Sequence, residues 1–290
     1  MKFSLLLIFA MLLWGGGWTA LKILTVHVGV EVLSLWRFVI MFLSFIPILF
    51  FLKIPLRLPK ESAKYIFMSS ILNVLFMILA YLGVERSTAG SGGVVITVLS
   101  PLFTFVLSSF IFKHKNNRAQ YFGLFIGLLG GMIMLNIYNE QNIMQAGDIY
   151  FILAAITWAG VTLLAQKSHS HIHPVHYSFY ISSMAMLILF FINTSNDISV
   201  VFDQDASFWV ALLYLGILGQ SVATTIYFVA SGKLGSSKAS SFMFLVPLFA
   251  LLISYMVLDE PIQMHIVLGG AICLVSVYLI NKTKTKIKEY

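Results

Sequence analysis

The sequence predicts an all-α membrane protein with ten transmembrane helices in two inverted-topology five-helix repeats. Three observations predict it. Of the 290 residues, 59 % are hydrophobic and 10 % charged, against roughly 45–50 % and 25 % in soluble domains. Apolar runs near the roughly twenty residues that cross a bilayer as a helix recur ten times along the chain. The two halves of the chain also align with each other at an offset of about 145 residues. The spans leave only short loops, with no space for a second, soluble domain.

The first span, 4–24, looks like a signal-peptide core, but it lacks a small-x-small cleavage site and its apolar stretch runs past Leu21. It is read as a retained helix. The second, 32–52, opens at Trp36-Arg37-Phe38 and stops at Lys53. The third, 65–84, follows Lys60 and Lys64 and gives out at Glu85-Arg86. The fourth, 88–112, starts in the small-residue run Ser87 to Gly93 and ends at Lys113. The fifth, 119–137, follows Arg118. Then come 148–166, ending at Lys167, and 175–193, following Pro174. The last three are 207–231, 236–258 and 264–281, separated by Lys233 to Gly235 and by Asp259-Glu260-Pro261.

Orientation follows from the Lys/Arg bias of short loops. Fifteen of the 18 Lys and Arg fall on one side: Lys2, the 53–64 and 113–118 loops, Lys167, Lys233, Lys238 and the tail from Lys282. Only Lys22 and Arg86 fall on the other, beside acidic stretches such as Asp197 to Asp205, while Arg37 lies just inside the second span. Both termini are therefore expected in the cytoplasm, with the chain in the cytoplasmic membrane. The net charge of +7 belongs to these loops rather than to a nucleic-acid partner. The single Cys273 sits in an apolar run and has no partner for an intrachain disulfide.

The strongest internal register sets Ala89-Gly90-Ser91 through Ser100-Pro101-Leu102-Phe103 on Gly235-Ser236-Ser237 through Val246-Pro247-Leu248-Phe249, an offset of 146. The same offset sets Tyr81 on Tyr227 and Gly123 on Gly269, and 144 sets Trp14 on Trp158. The expected repeats are residues 1–140 and 145–283. Five spans is an odd number, so the second repeat enters the membrane the other way up. Inverted repeats are a transporter architecture, in which two similar halves open a central site to each side in turn.

In Leu13-Trp14-Gly15-Gly16 with Trp18, Trp36-Arg37-Phe38, Ala80-Tyr81-Leu82-Gly83, the Pro-Leu-Phe of spans four and nine, and Leu258-Asp259-Glu260-Pro261, the sequence resembles the EamA branch of the drug/metabolite transporter superfamily. The resemblance covers nearly the whole chain. It implies ten helices in two inverted halves and small metabolites as cargo, with amino acids or their derivatives as the leading candidates. One departure stands out: Lys113-His114-Lys115 ends the fourth span where the family often has a glutamate like Glu260.

Candidate site residues follow from chemistry that is costly in lipid. Pro101 and Pro247, mid-span, each remove a backbone donor and kink a helix, as hinges around a central site or as static packing kinks. Trp14, Trp18, Tyr81, Trp158 and Tyr227 are candidates for an aromatic, substrate-binding wall. Indole and phenol groups deep in a span need partners that a bundle interior or wet cavity supplies, and ring faces would suit an ammonium group. Dry helix packing is the competing reading. Arg37, Glu85 and Arg86 are the ionisable residues nearest the interior, candidates for a gate or ion-coupling role or for a rim pair that snorkels to water.

Other conspicuous features read as structural. The glycine clusters at 15–17, 127–131 and 269–270 suit close helix packing. Ser87 to Gly93 lacks the strand and lysine of a phosphate loop. His169, His171, His173 and His176 lie in a polar loop with no cysteine or carboxylate to complete a metal site. No cofactor, metal or ATP is expected, and no nucleophile–base constellation points to an enzyme. A secondary transporter of small organic molecules, working as an exporter, is the leading expectation; a non-transporting membrane scaffold is the alternative.

Overall fold

The computed structural model describes residues 2–52, 58–86, 89–113, 117–136 and 148–282. These form ten long helical segments and one short 3-10 helix, Ile198–Asp203, between the seventh and eighth: α1 Lys2–Leu24, α2 Val30–Leu52, α3 Lys60–Arg86, α4 Ala89–Ile111, α5 Arg118–Met134, α6 Asp148–Ser168 and α7 Pro174–Ile192, then α8 Ala206–Leu234, α9 Ser236–Leu258 and α10 Met264–Lys282. Among the described residues nine of the ten are long and apolar enough to cross a membrane, and the tenth, α5, is an apolar helix of 17 residues. The predicted spans match these helices to within a few residues. A bilayer as surroundings accounts for the outer face, where Phe50, Phe51, Phe110 and Met256 are each more than 70 % exposed; a soluble protein rarely leaves such a belt uncovered.

Helix ends are set by local chemistry. Asn117 and Gln120 close a reciprocal capping box at the start of α5, satisfying donors that a helix N-terminus leaves open. Pro174, at the first position of α7, needs no donor there, and His173 caps it by accepting from the Val175 amide. Asp205 accepts from the Phe208 amide to start α8. Gly235, with φ of 89°, turns the chain between α8 and α9, a conformation side-chain-bearing residues rarely take.

Contacts identify two ends of the bundle. At the basic end, Tyr65 of α3 stacks on His171, Ser108 of α4 bonds Ser237 of α9, and the Ser236 amide donates to Gln166 of α6. At the far end, Lys22 pairs with Glu260, the Trp36 indole donates to the Ile198 carbonyl at 2.8 Å, and Asn193 donates to the Glu31 carbonyl. Successive helices therefore run in alternate directions.

Packing follows a two-fold pattern in which the first five helices exchange with the last five. α4 packs on α6 as α1 packs on α9, α3 on α6 as α1 on α8, while α2 pairs with α7 and α5 with α10. The α5–α10 contact is close because both carry glycine. A Cβ on Gly130 would lie 2.8 Å from the Gly269 carbonyl, and the Ser276 hydroxyl donates to the Gly123 carbonyl at 2.6 Å.

The pattern breaks at the centre. α6 packs along the Thr224–Leu234 stretch of α8 at the basic end, whereas the corresponding pair, α1 and α3, barely touch at the far end. The buried core follows suit. One continuous cluster runs from Leu7 and Met11 through Trp158, Tyr177 and Tyr227 to Phe244. At the far end the core divides into an α1–α2–α7–α8 cluster with one face of α3 and a smaller cluster where α3, α4 and α6 meet.

Candidate site: a central cavity

Where the core divides lies a cavity of about 90 Å³. Its walls come from both halves: Trp14, Gly17, Trp18 and Leu21 of α1; Arg37 of α2; Phe76, Met77, Ala80, Tyr81 and Val84 of α3; Ile96 and Thr97 of α4; Trp158 of α6; Leu215, Gly219, Gln220 and Thr224 of α8; and Met243 and Val246 of α9. Leu21 and Val84, near the far ends of their helices, mark the side toward which the cavity extends.

Four of the five aromatic candidates line it. Trp14 meets Trp158 edge-to-face with centroids 5.4 Å apart, and Phe76 packs on Trp158 at 5.0 Å. The Trp14 indole donates to the Gly219 carbonyl at 2.9 Å. Trp18 lies over Gly93, where a Cβ would meet the indole at 3.3 Å. Tyr227 is absent from the walls. It is fully buried behind Trp14, 5.0 Å between centroids, with its hydroxyl against Thr162 at 3.0 Å. It is the floor, on the basic side. Tyr81, its counterpart in the repeat, faces the cavity instead.

The ionisable candidates separate. Arg86 stays at the rim, its guanidinium 5.0 Å from the Tyr150 ring centroid. The backbone of Glu85 lies in α3, and its side chain is outside the described residues. Arg37, expected near a rim where it could snorkel, instead lines the cavity. α2 starts at Val30, so Arg37 lies about 10 Å along the helix at 1.5 Å per residue. Its Nη2 donates to Gln220 Oε1 at 2.6 Å and its Nη1 points at Met77 Sδ at 3.8 Å; its Nε has no hydrogen-bond partner, and the buried Tyr81 hydroxyl lies beside the guanidinium.

The partner Gln220 was not singled out from sequence, and neither was the feature that places it. Tyr214–Ala223, in the middle of α8, is π-helical, a rare form that concentrates at functional sites. Its wider turn leaves the Gly219 carbonyl available to Trp14. Hydroxyls tie it down: Ser221 donates to the Gly216 carbonyl at 3.1 Å and Tyr214 to the Leu13 carbonyl of α1 at 3.1 Å. No residue type announces a π segment, so only the glycines at 216 and 219 hinted at irregular backbone.

The two prolines differ. α4 stays α-helical through Pro101. Ahead of Pro247, α9 passes through a 3-10 turn, Phe242–Leu245, which avoids the clash between a proline ring and the carbonyl four residues back. That turn carries Met243 into the cavity wall. His169, His171 and His173 line one shallow pocket and the His173 and His176 rings lie 6.1 Å apart, but among the described residues they form no group that could hold a metal ion. His171 stacks on Tyr65, His173 caps α7, and burial beside Lys233 and His173 holds His169 below the usual imidazole pKa.

Known proteins agree with this architecture. A crystal structure superposes with a TM-score of 0.77 over 96 % of both chains at 15 % identity, which shows a shared fold. The uncharacterized transporter YoaV of Bacillus subtilis (strain 168) is 26 % identical over 285 residues, 96 % of each chain. An uncharacterized transporter of Archaeoglobus fulgidus is 25 % identical over 290 residues, again 96 % of each. The model of the EamA-like transporter family matches residues 1–136 and 145–282, and with both halves matched the chain belongs to the EamA-like transporter family.

Proposed function

We propose that this membrane transporter exports small organic metabolites across the cytoplasmic membrane by alternating access between two inverted five-helix repeats, residues 1–140 and 145–283. In this reading both termini are cytoplasmic and the cavity is open outward, poised to release cargo. The observation that carries the reading is that residues equivalent in the repeat stand in unlike surroundings: Tyr81 on the open cavity and Tyr227 in a closed floor. A static scaffold with pseudo-two-fold packing has no reason to treat the two halves differently. A transporter does, because closing one side while opening the other exchanges the roles of the halves.

The floor is held by contacts that can break without leaving lipid-exposed polar groups: Tyr227 to Thr162, Tyr177 to Ser69, and Ser108 to Ser237. Water entering from the basic end can replace each of them. Cysteine accessibility tests the reading. Cys273 is fully buried, so it gives little background. Cysteines introduced at Leu21 and Val84 should react with a membrane-impermeant thiol reagent added outside, and one at Tyr227 should not. Reaction at Tyr227 from outside, with Leu21 and Val84 protected, would reverse the assignment.

A further inference from the structure

We propose that Arg37 is an anion receptor at the centre of the cavity, and that the cargo is an amphipathic monocarboxylate whose carboxylate sits on the guanidinium and whose apolar body lies on the Trp14–Trp158 wall. This deepens the transport reading above and rests on it. The cavity wall holds one cation and, among the described residues, no carboxylate. The only ion pair among those residues is Lys22 with Glu260 at the far rim. Arg37 meets instead a neutral amide oxygen of Gln220 and a thioether, neither of which offsets a charge held in low dielectric.

Donors are also in surplus there. Arg37 Nε is buried without a partner, and the buried Tyr81 hydroxyl beside it meets only the guanidinium, which leaves its proton free to donate. The nearby acceptors are taken: Gln220 Oε1 by Arg37 and the Gly219 carbonyl by Trp14. Unused donors around a lone guanidinium fit an oxyanion, and the planar fork suits a carboxylate. One positive charge matches one negative charge, which disfavours phosphates and dicarboxylates. An ammonium group finds ring faces here but no anionic partner, so charge favours the acid over the amine.

The test is binding to the purified, full-length protein, read by quenching of Trp fluorescence, with three matched probes: 3-phenylpropionate, 3-phenylpropionamide and 3-phenylpropylamine. The carboxylate should bind at least about tenfold tighter than the amide, equivalent to about 1.4 kcal/mol, and the amine weakest. In Arg37→Gln the carboxylate should fall to the level of the amide, and Arg37→Lys should keep part of the preference. Tyr81→Phe should weaken the carboxylate several-fold and leave the amide unchanged, which keeps the test alive if Arg37→Gln does not insert. Equal binding of carboxylate and amide in the unmodified protein, absence of binding by either included, overturns the proposal, as does an unchanged preference in both Arg37→Lys and Tyr81→Phe. Glu85 lies one turn beyond Tyr81 on α3; a carboxylate preference that appears only in Glu85→Gln makes Glu85 the guanidinium's partner and also overturns it. Counterflow of the same acid in proteoliposomes is a separate matter: Arg37-dependent binding without counterflow removes the transport reading and leaves the anion site standing.

Discussion

Trp158 and Tyr227 lie 6.0 Å apart between ring centroids and should nonetheless respond differently to substitution. Trp158 is a wall of the cavity, so Trp158→Ala removes a ring face and apolar area from the cargo, worth about 1–2 kcal/mol in a desolvated pocket, or roughly a five- to thirty-fold loss of affinity. Tyr227→Phe deletes only the hydroxyl that reaches Thr162 and, at 3.6 Å, the Met243 sulfur. It should cost about 1 kcal/mol of stability and leave cargo affinity within about twofold. Titrating a bound acid and measuring thermal unfolding for both variants separates the roles; affinity loss in Tyr227→Phe alone would make the floor part of the binding site. The sequence made Trp14, Trp18, Tyr81, Trp158 and Tyr227 recognisable as a group, because all but Trp18 fall toward the middle of their predicted spans, away from the headgroup depth where such rings usually sit. It could not sort them, since Tyr81 and Tyr227 have the same residue type and the same position in the repeat. Only packing distinguishes an open surface from a closed one. Arg37 was legible as costly and misplaced as to depth, because a span assigned from residue 32 brings it too close to the end.

At the scale of the helix, glycine and proline are the informative residues. Gly130 is pressed so near the Gly269 carbonyl that Gly130→Ala must push α5 and α10 apart. Small-to-large changes in packed interiors cost about 1–3 kcal/mol, and the thermal midpoint in detergent should drop accordingly, with the central cavity and its ligand affinity untouched. An unshifted midpoint would mean the α5–α10 pair contributes little to the fold. Pro247 is expected to matter to motion. With alanine there, the 3-10 turn Phe242–Leu245 can relax to α-helix, withdrawing Met243 from the wall; transport should slow several-fold while insertion is retained. Pro101→Ala, in a helix already regular, should act less strongly. Equal turnover in the unmodified protein and Pro247→Ala would remove the hinge role. Helices themselves were readable because apolar length is a strong signal and the breaks fall on Lys, Asn, Gly and Asp. The π segment in α8 was not, since it arises from tertiary bonds to α1 and α2 rather than from local preference.

For the whole molecule, the two-fold exchange of helices was foreshadowed by Pro101/Pro247 and Trp14/Trp158, ordered matches too weak singly to carry weight. The asymmetry laid over it was invisible, because matched residue types such as Tyr81 and Tyr227 carry no sign of which one borders a cavity and which one packs closed. Topology has its own test. Reporter fusions after Lys282 and in the 113–118 loop should report cytoplasm, and fusions between Asn193 and Phe208 the opposite side; a reversed pattern would turn the charge argument over. The most direct test of alternating access is a pair of spin-label distances measured with and without cargo in bilayers. One pair, Val26 just past the end of α1 with Arg86 of α3, lies at the open end; the other, Lys167 with Lys233, spans α6 and α8 at the closed end, and all four sites are exposed. The expected result is a reciprocal change across the populations: the first distance shortens in the same fraction of molecules in which the second lengthens. Two distances that stay fixed under every condition, or that lengthen together, would contradict alternating access.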